Sequence, residues 1–117
     1  MAFPGSYNFN YYRGDTAEFV VRPKTANGDA FDLTGFSADF FIATARGQGA
    51  TQYEAQAVVS GVTDTVTCTI LPGVGRDLAA GTYVYDVQIT NAIPNPDVIL
   101  TVLTGSITVT DDITGAV

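Results

Sequence analysis

The feature that most constrains this chain is a period-two alternation of apolar and polar residues that recurs between turn formers. Thr51 to Val59 sets Tyr53, Ala55, Ala57 and Val59 against Gln52, Glu54 and Gln56. Thr65 to Leu71 sets Val66, Cys68 and Ile70 against three threonines. Thr82 to Thr90 places Tyr83, Tyr85, Val87 and Ile89 on one face. Side chains alternate faces along a strand, so each segment reads as a strand with one buried face. A helix would scatter the same residues around its circumference.

Less regular segments fit between these. Thr16 to Arg22 puts Ala17, Phe19 and Val21 on one face and ends at Pro23. Phe36 to Thr44 is apolar on both faces, which predicts a central or covered strand. Val98 to Thr110 is long and apolar, and its inward face switches near Thr104-Gly105, predicting a β-bulge or bend there. Turn signals separate the segments, notably Asn27-Gly28-Asp29, Asp32-Leu33-Thr34-Gly35 and Arg46-Gly47-Gln48-Gly49. Pro72-Gly73-Val74-Gly75 reads as a loop, Arg76 to Ala80 as one helical turn, and Asn91 to Pro96 as a polar loop. About seven strands at this spacing predict an all-β domain, a β-sandwich or small barrel. With 117 residues, one domain accounts for the chain.

Composition narrows the chemistry. Twelve Asp and Glu against five Lys and Arg give a net charge of −7, which repels phosphate and anionic lipid. No nucleic-acid or membrane partner is expected. The N-terminus, Met1-Ala2-Phe3-Pro4-Gly5, has neither a basic nor an apolar leader region, so synthesis in a cytoplasm is expected. The lone Cys68 alternates with threonines on the apolar side of a strand, where a buried inert thiol is expected.

The chain has no histidine, which removes Ser-His-Asp and Cys-His catalysis and the usual zinc sites. The carboxylates Asp39, Glu54 and Asp86 fall on polar-facing strand positions, as solvated surface charge would. Asn27, Asp29 and Asp32, and the pair Asp111-Asp112, do not match the ligand spacing of a calcium loop. Arg13-Gly14-Asp15 spells an adhesion tripeptide, but Gly14 also suits a turn before the next strand. Gly73-Val74-Gly75 lacks the Lys and Ser/Thr of a phosphate loop. No catalytic residue, cofactor or metal site is expected.

One surface stands out. Phe3, Tyr7, Phe9, Tyr11 and Tyr12 crowd residues 1–12, and Tyr7, Phe9 and Tyr11 share a face if the segment is extended. They are candidates for subunit contact, as an arm that packs on a neighbour or adds a strand to its sheet. The other reading is a core strand of the chain's own domain. The expected division is an arm or edge strand at 1–12, a β-sandwich at 13–112 and a tail at 113–117.

A resemblance covers Tyr11 to Thr110. Its marks, in order, are Tyr12-Arg13-Gly14-Asp15-Thr16, Asn27-Gly28-Asp29, Asp32-Leu33-Thr34-Gly35, a Phe-rich strand, Leu78-Ala79-Ala80-Gly81-Thr82-Tyr83-Val84-Tyr85-Asp86, and Gly105-Ser106-Ile107-Thr108-Val109-Thr110. In this order the chain resembles the small immunoglobulin-like β-sandwich virion proteins of tailed bacteriophages. The resemblance implies a non-enzymatic virion structural protein made in the bacterial host. Its first implied role is capsid decoration or cement, bound to the major capsid protein or other virion proteins as a homo-oligomer. A tail or baseplate component is the alternative. A carbohydrate-binding β-sandwich is the alternative of another class, weakened by the absence of tryptophan.

Overall fold

A computed structural model describes residues 5–25, 27–47, 49–91 and 98–111. Eight strands run through them: β1 (Gly5–Ser6), β2 (Phe9–Tyr12), β3 (Ala17–Val21), β4 (Ser37–Ala43), β5 (Gln52–Ser60), β6 (Thr65–Ile70), β7 (Gly81–Asn91) and β8 (Val98–Thr110). One helical turn, α1 (Pro72–Gly75), lies between β6 and β7. The all-β, sandwich-like architecture expected from the alternation is present.

The strands form one sheet in the order β1-β8-β7-β4-β5-β6-β3, with β2 also on β8. It curls at β5. Residues 52–55 of β5 pair with β4, whereas residues 56–60 pair with β6. β5 therefore belongs to both layers. One layer is β1/β2, β8, β7, β4 and the start of β5; the other is the end of β5, β6 and β3. Across the gap, Phe19 of β3 meets Phe40 of β4, with ring centroids 5.5 Å apart.

Inward positions match the alternation. Val66, Cys68 and Ile70 of β6 are fully buried, as are Tyr85, Val87 and Ile89 of β7 and Phe40 and Ile42 of β4. Burying each such aliphatic side chain contributes about 1.5–3 kcal/mol. The threonines of β6 face the other way and are half-buried.

Two local expectations shift. The helical turn is at Pro72–Gly75 rather than 76–80. Proline is preset for the first helical turn and its missing N–H costs nothing there, so the turn starts at Pro72. The bulge in β8 is at Val102, not at Thr104-Gly105. Val87 pairs with Leu103 but Gln88 pairs with Thr101, leaving Val102 as the extra residue. Loops are pinned by side chains. The Asp64 carboxylate accepts a hydrogen bond from the Leu33 amide at 3.1 Å, with Asp64 itself at φ 54°. Asp is among the few residues that tolerate this left-handed conformation.

Candidate functional site

The N-terminal segment lies along the chain's own sheet. β1 pairs in parallel with Leu103–Thr104, and β2 with Ile107–Thr110. Both keep one register, so the break at Tyr7-Asn8 falls opposite Gly105-Ser106. There the ladder continues by other means. The Tyr7 amide donates to the Thr104 carbonyl at 3.0 Å, and the Ser106 amide donates to Asn8 Oδ1 at 2.9 Å. The Tyr85 hydroxyl donates to the Tyr7 carbonyl.

Gly105 permits this approach. A Cβ there would lie 2.0 Å from the Tyr7 carbonyl oxygen. An interior strand glycine signals either a bulge or a close backbone approach; here it is the second.

The side chains of this strap join the core. Tyr7 stacks on Phe9 at 5.3 Å, and Phe9 meets Phe19 at 5.5 Å and Tyr85 at 5.6 Å. Phe40 completes the cluster against Tyr85 at 5.5 Å. Such edge and offset contacts add about 0.5–1.5 kcal/mol per pair beyond area burial. Burial raises the Tyr85 phenol well above its usual pKa, with the nearby Cys68 and Tyr7 adding to the shift.

Tyr11 sits in a separate corner. It is 3% exposed, and its hydroxyl donates to the Asp15 carbonyl. Gly75 of α1 leaves room for that hydroxyl, which a Cβ would overlap. Arg13 folds back onto the carbonyls of Leu78 (3.0 Å) and Arg76 (2.6 Å). The Arg13-Gly14-Asp15 tripeptide is thus a structural turn, with Gly14 at φ 87°.

The candidate contact residues therefore separate. Phe9 and Tyr11 pack inside their own domain. Tyr7 and Tyr12 remain exposed at 45% and 59%. Phe3 lies outside the described residues, as do residues 92–97 of the expected Asn91–Pro96 loop and the expected tail 113–117, while Asn91 itself ends β7. Residues 5–12 are edge strands of this domain rather than a detached arm.

A cleft of about 480 Å³ opens beside the strap, between β3 and the β1/β8 edge. Tyr7, Phe19, Val21 and Leu103 line it, and Arg22 and Lys24 border it. No local pattern marks this cleft, because it forms between β3 and β8, about eighty residues apart in the chain.

The opposite face carries the carboxylates. Glu54 and Asp86 flank Phe41 in one cross-strand row, and Asp39 pairs with Gln88 in the next. Asp86 is 3.9 Å from Arg46, whose guanidinium also reaches the Thr104 hydroxyl. Among the described residues, no group of three or more His, Cys, Asp or Glu is placed to hold a metal ion. No helix among them is long and apolar enough to cross a membrane.

No protein-family model matches the sequence, and no curated protein matches it. The class that the fold defines is an all-β sandwich, and solved structures share it. The fold is similar to the N-terminal domain of phage TP901-1 ORF48, with a TM-score of 0.60 and 11% identity over 92% of this chain and 90% of that one. A family 123 glycoside hydrolase from Clostridium perfringens also matches at 11% identity, with a TM-score of 0.40, over 93% of this chain and 23% of that one.

Proposed function

We propose that this chain is a non-enzymatic structural component of a tailed-phage particle. The observation that carries the reading is the near end-to-end match in fold to a domain of a phage protein. The strand order and the Tyr83 hydroxyl, which donates to the Ala79 carbonyl at 2.9 Å, support an immunoglobulin-like sandwich. A tyrosine bonding back just upstream of a strand is a hallmark of that class. The absence of histidine and the placement of Asp39, Glu54 and Asp86 on an outer strand face support a passive role.

In this role the domain would work by burial across subunit joints, stabilising the assembly as any native-state binder does. Decoration of the capsid, bound to the major capsid protein, is the first placement. Tail or baseplate placement is the alternative, equally compatible with the match to a phage domain. Tyr7 and Tyr12, exposed on the strap, are the contact residues we retain. Carbohydrate binding has less support, since Tyr7 is stacked on Phe9 rather than presented as an open platform.

Mass spectrometry of heads and tails separated from purified particles tests the reading. Many copies per head support decoration, and a few per tail support the baseplate. Absence from both fractions overturns the proposal.

A further inference from the structure

We propose that the free edge of β3 pairs with the same edge of a second copy, antiparallel and centred on Val20. β3 ends the strand order, and among the described residues no strand lies along its outer side. An unpaired strand edge is a template for another strand. The exposed side chains of β3 are Glu18 and Val20, and exposed Arg22, the residue just past the strand's end, continues the same alternation.

That triplet is self-complementary. In an antiparallel pair centred on Val20, the two Val20 side chains meet. Glu18 of each copy then faces Arg22 of the other, on both sides of the two-fold axis. Directly opposite residues have Cβ atoms about 4.5–5.5 Å apart, close enough for ion pairs. Sliding by two residues sets Glu18 against Val20 and loses both pairs. Sliding by one puts the charges on opposite faces.

Charge on a strand edge guards against self-pairing where like charges of two copies meet. Here the signs are opposite and symmetric about a valine, which selects one register. The outer face also becomes continuous, because Val58, Thr67 and Val20 already form one cross-strand row. Strand β2 offers no such edge: the strap is broken at Tyr7-Asn8 and carries no ion-pair complement. Of the other cations, Arg13 bonds to carbonyls and Arg46 pairs with Asp86. A two-fold contact of this kind is self-limiting. It is independent of where in a particle the chain resides.

Sedimentation equilibrium of the full chain over a concentration series tests the pairing. We expect a reversible dimer of twice the 12.3 kDa monomer mass. Glu18→Arg and Arg22→Glu each turn two attractive contacts repulsive and weaken the dimer by about tenfold or more. The double variant E18R/R22E restores both pairs and recovers affinity to within about threefold. Thermal melts of each variant verify the fold. Val20→Cys gives a second readout that leaves the charges alone. The native Cys68 is buried, so this chain should cross-link through position 20 under mild oxidation, and faster than Val58→Cys. A monomer across the whole series overturns the pairing. So do single reversals without effect, a folded double variant that does not recover, or equal cross-linking at positions 20 and 58.

Discussion

Gly105→Ala is the sharpest probe of how the N-terminal strap is held. An alanine Cβ would sit 2.0 Å from the Tyr7 carbonyl oxygen and 2.8 Å from its carbon. The obstacle is backbone, so no rotamer change relieves it. To reach even 3.0 Å the strap must retreat by about 1 Å. Three hydrogen bonds converge there: Tyr7 to Thr104, Ser106 to Asn8, and Tyr85 to Tyr7. At about 1 kcal/mol net for each, the loss is about 3 kcal/mol. For a domain of this size that lowers the melting temperature by about 10–15 °C. Circular dichroism melts measure it, and limited proteolysis reports whether cleavage moves to residues 5–12. Gly73→Ala is the control, because a Cβ there meets nothing within 4 Å; it should leave the melt unchanged or slightly raised. A Gly105→Ala melt within about 3 °C of the wild type would refute the close-approach account.

Two further outcomes are expected. Tyr83→Phe keeps the ring against Tyr53 (6.2 Å) but leaves the Ala79 carbonyl without its donor. It should cost about 1–1.5 kcal/mol in urea denaturation. Alkaline pH should also destabilise the domain. Burial pushes the Cys68 thiol from 9.0 up to about 12. Between those values the folded chain keeps a proton that the unfolded chain has released. The contribution is therefore complete below about pH 9 and is lost as pH rises, by up to about 1.4 kcal/mol per unit. Tyr85, also raised by burial, steepens the loss above its usual range. Cys68→Ala should flatten the part of the slope that starts near pH 9, whatever its offset in stability. An unchanged slope in urea titrations would show that the thiol is not the cause.

Strands with one buried face were legible in the sequence because burial imposes the alternation directly. That is why β5, β6 and β7 read cleanly. The bulge was harder: Val102 and Leu103 are both apolar, so nothing marks the extra residue, while Gly105 draws attention for a different job. The split of β5 at Ala55/Gln56 leaves no trace either, because its alternation continues unbroken as the strand changes partners. The strap was legible as an aromatic strand, but not its partner. Parallel pairing with β8 joins residues about a hundred positions apart, and a Tyr/Phe/Asn alternation suits an edge strand and an intersubunit arm equally.

That ambiguity has a physical resolution with consequences for partners. A detached arm would offer its backbone to a neighbour. Here the backbone of residues 5–12 is engaged with β8, and Phe9 and Tyr11 are held in the core and its corner. Recruiting the strap to a neighbour's sheet would break those bonds and expose both rings, so a contact through it draws on side chains it already leaves exposed, among them Tyr12 and the free part of Tyr7. Backbone pairing is instead available where the curled sheet ends, at β3. The aromatic segment thus forms one edge of the sheet, broken at Tyr7-Asn8, and β3 forms the other, the edge at which we propose the pairing of two copies.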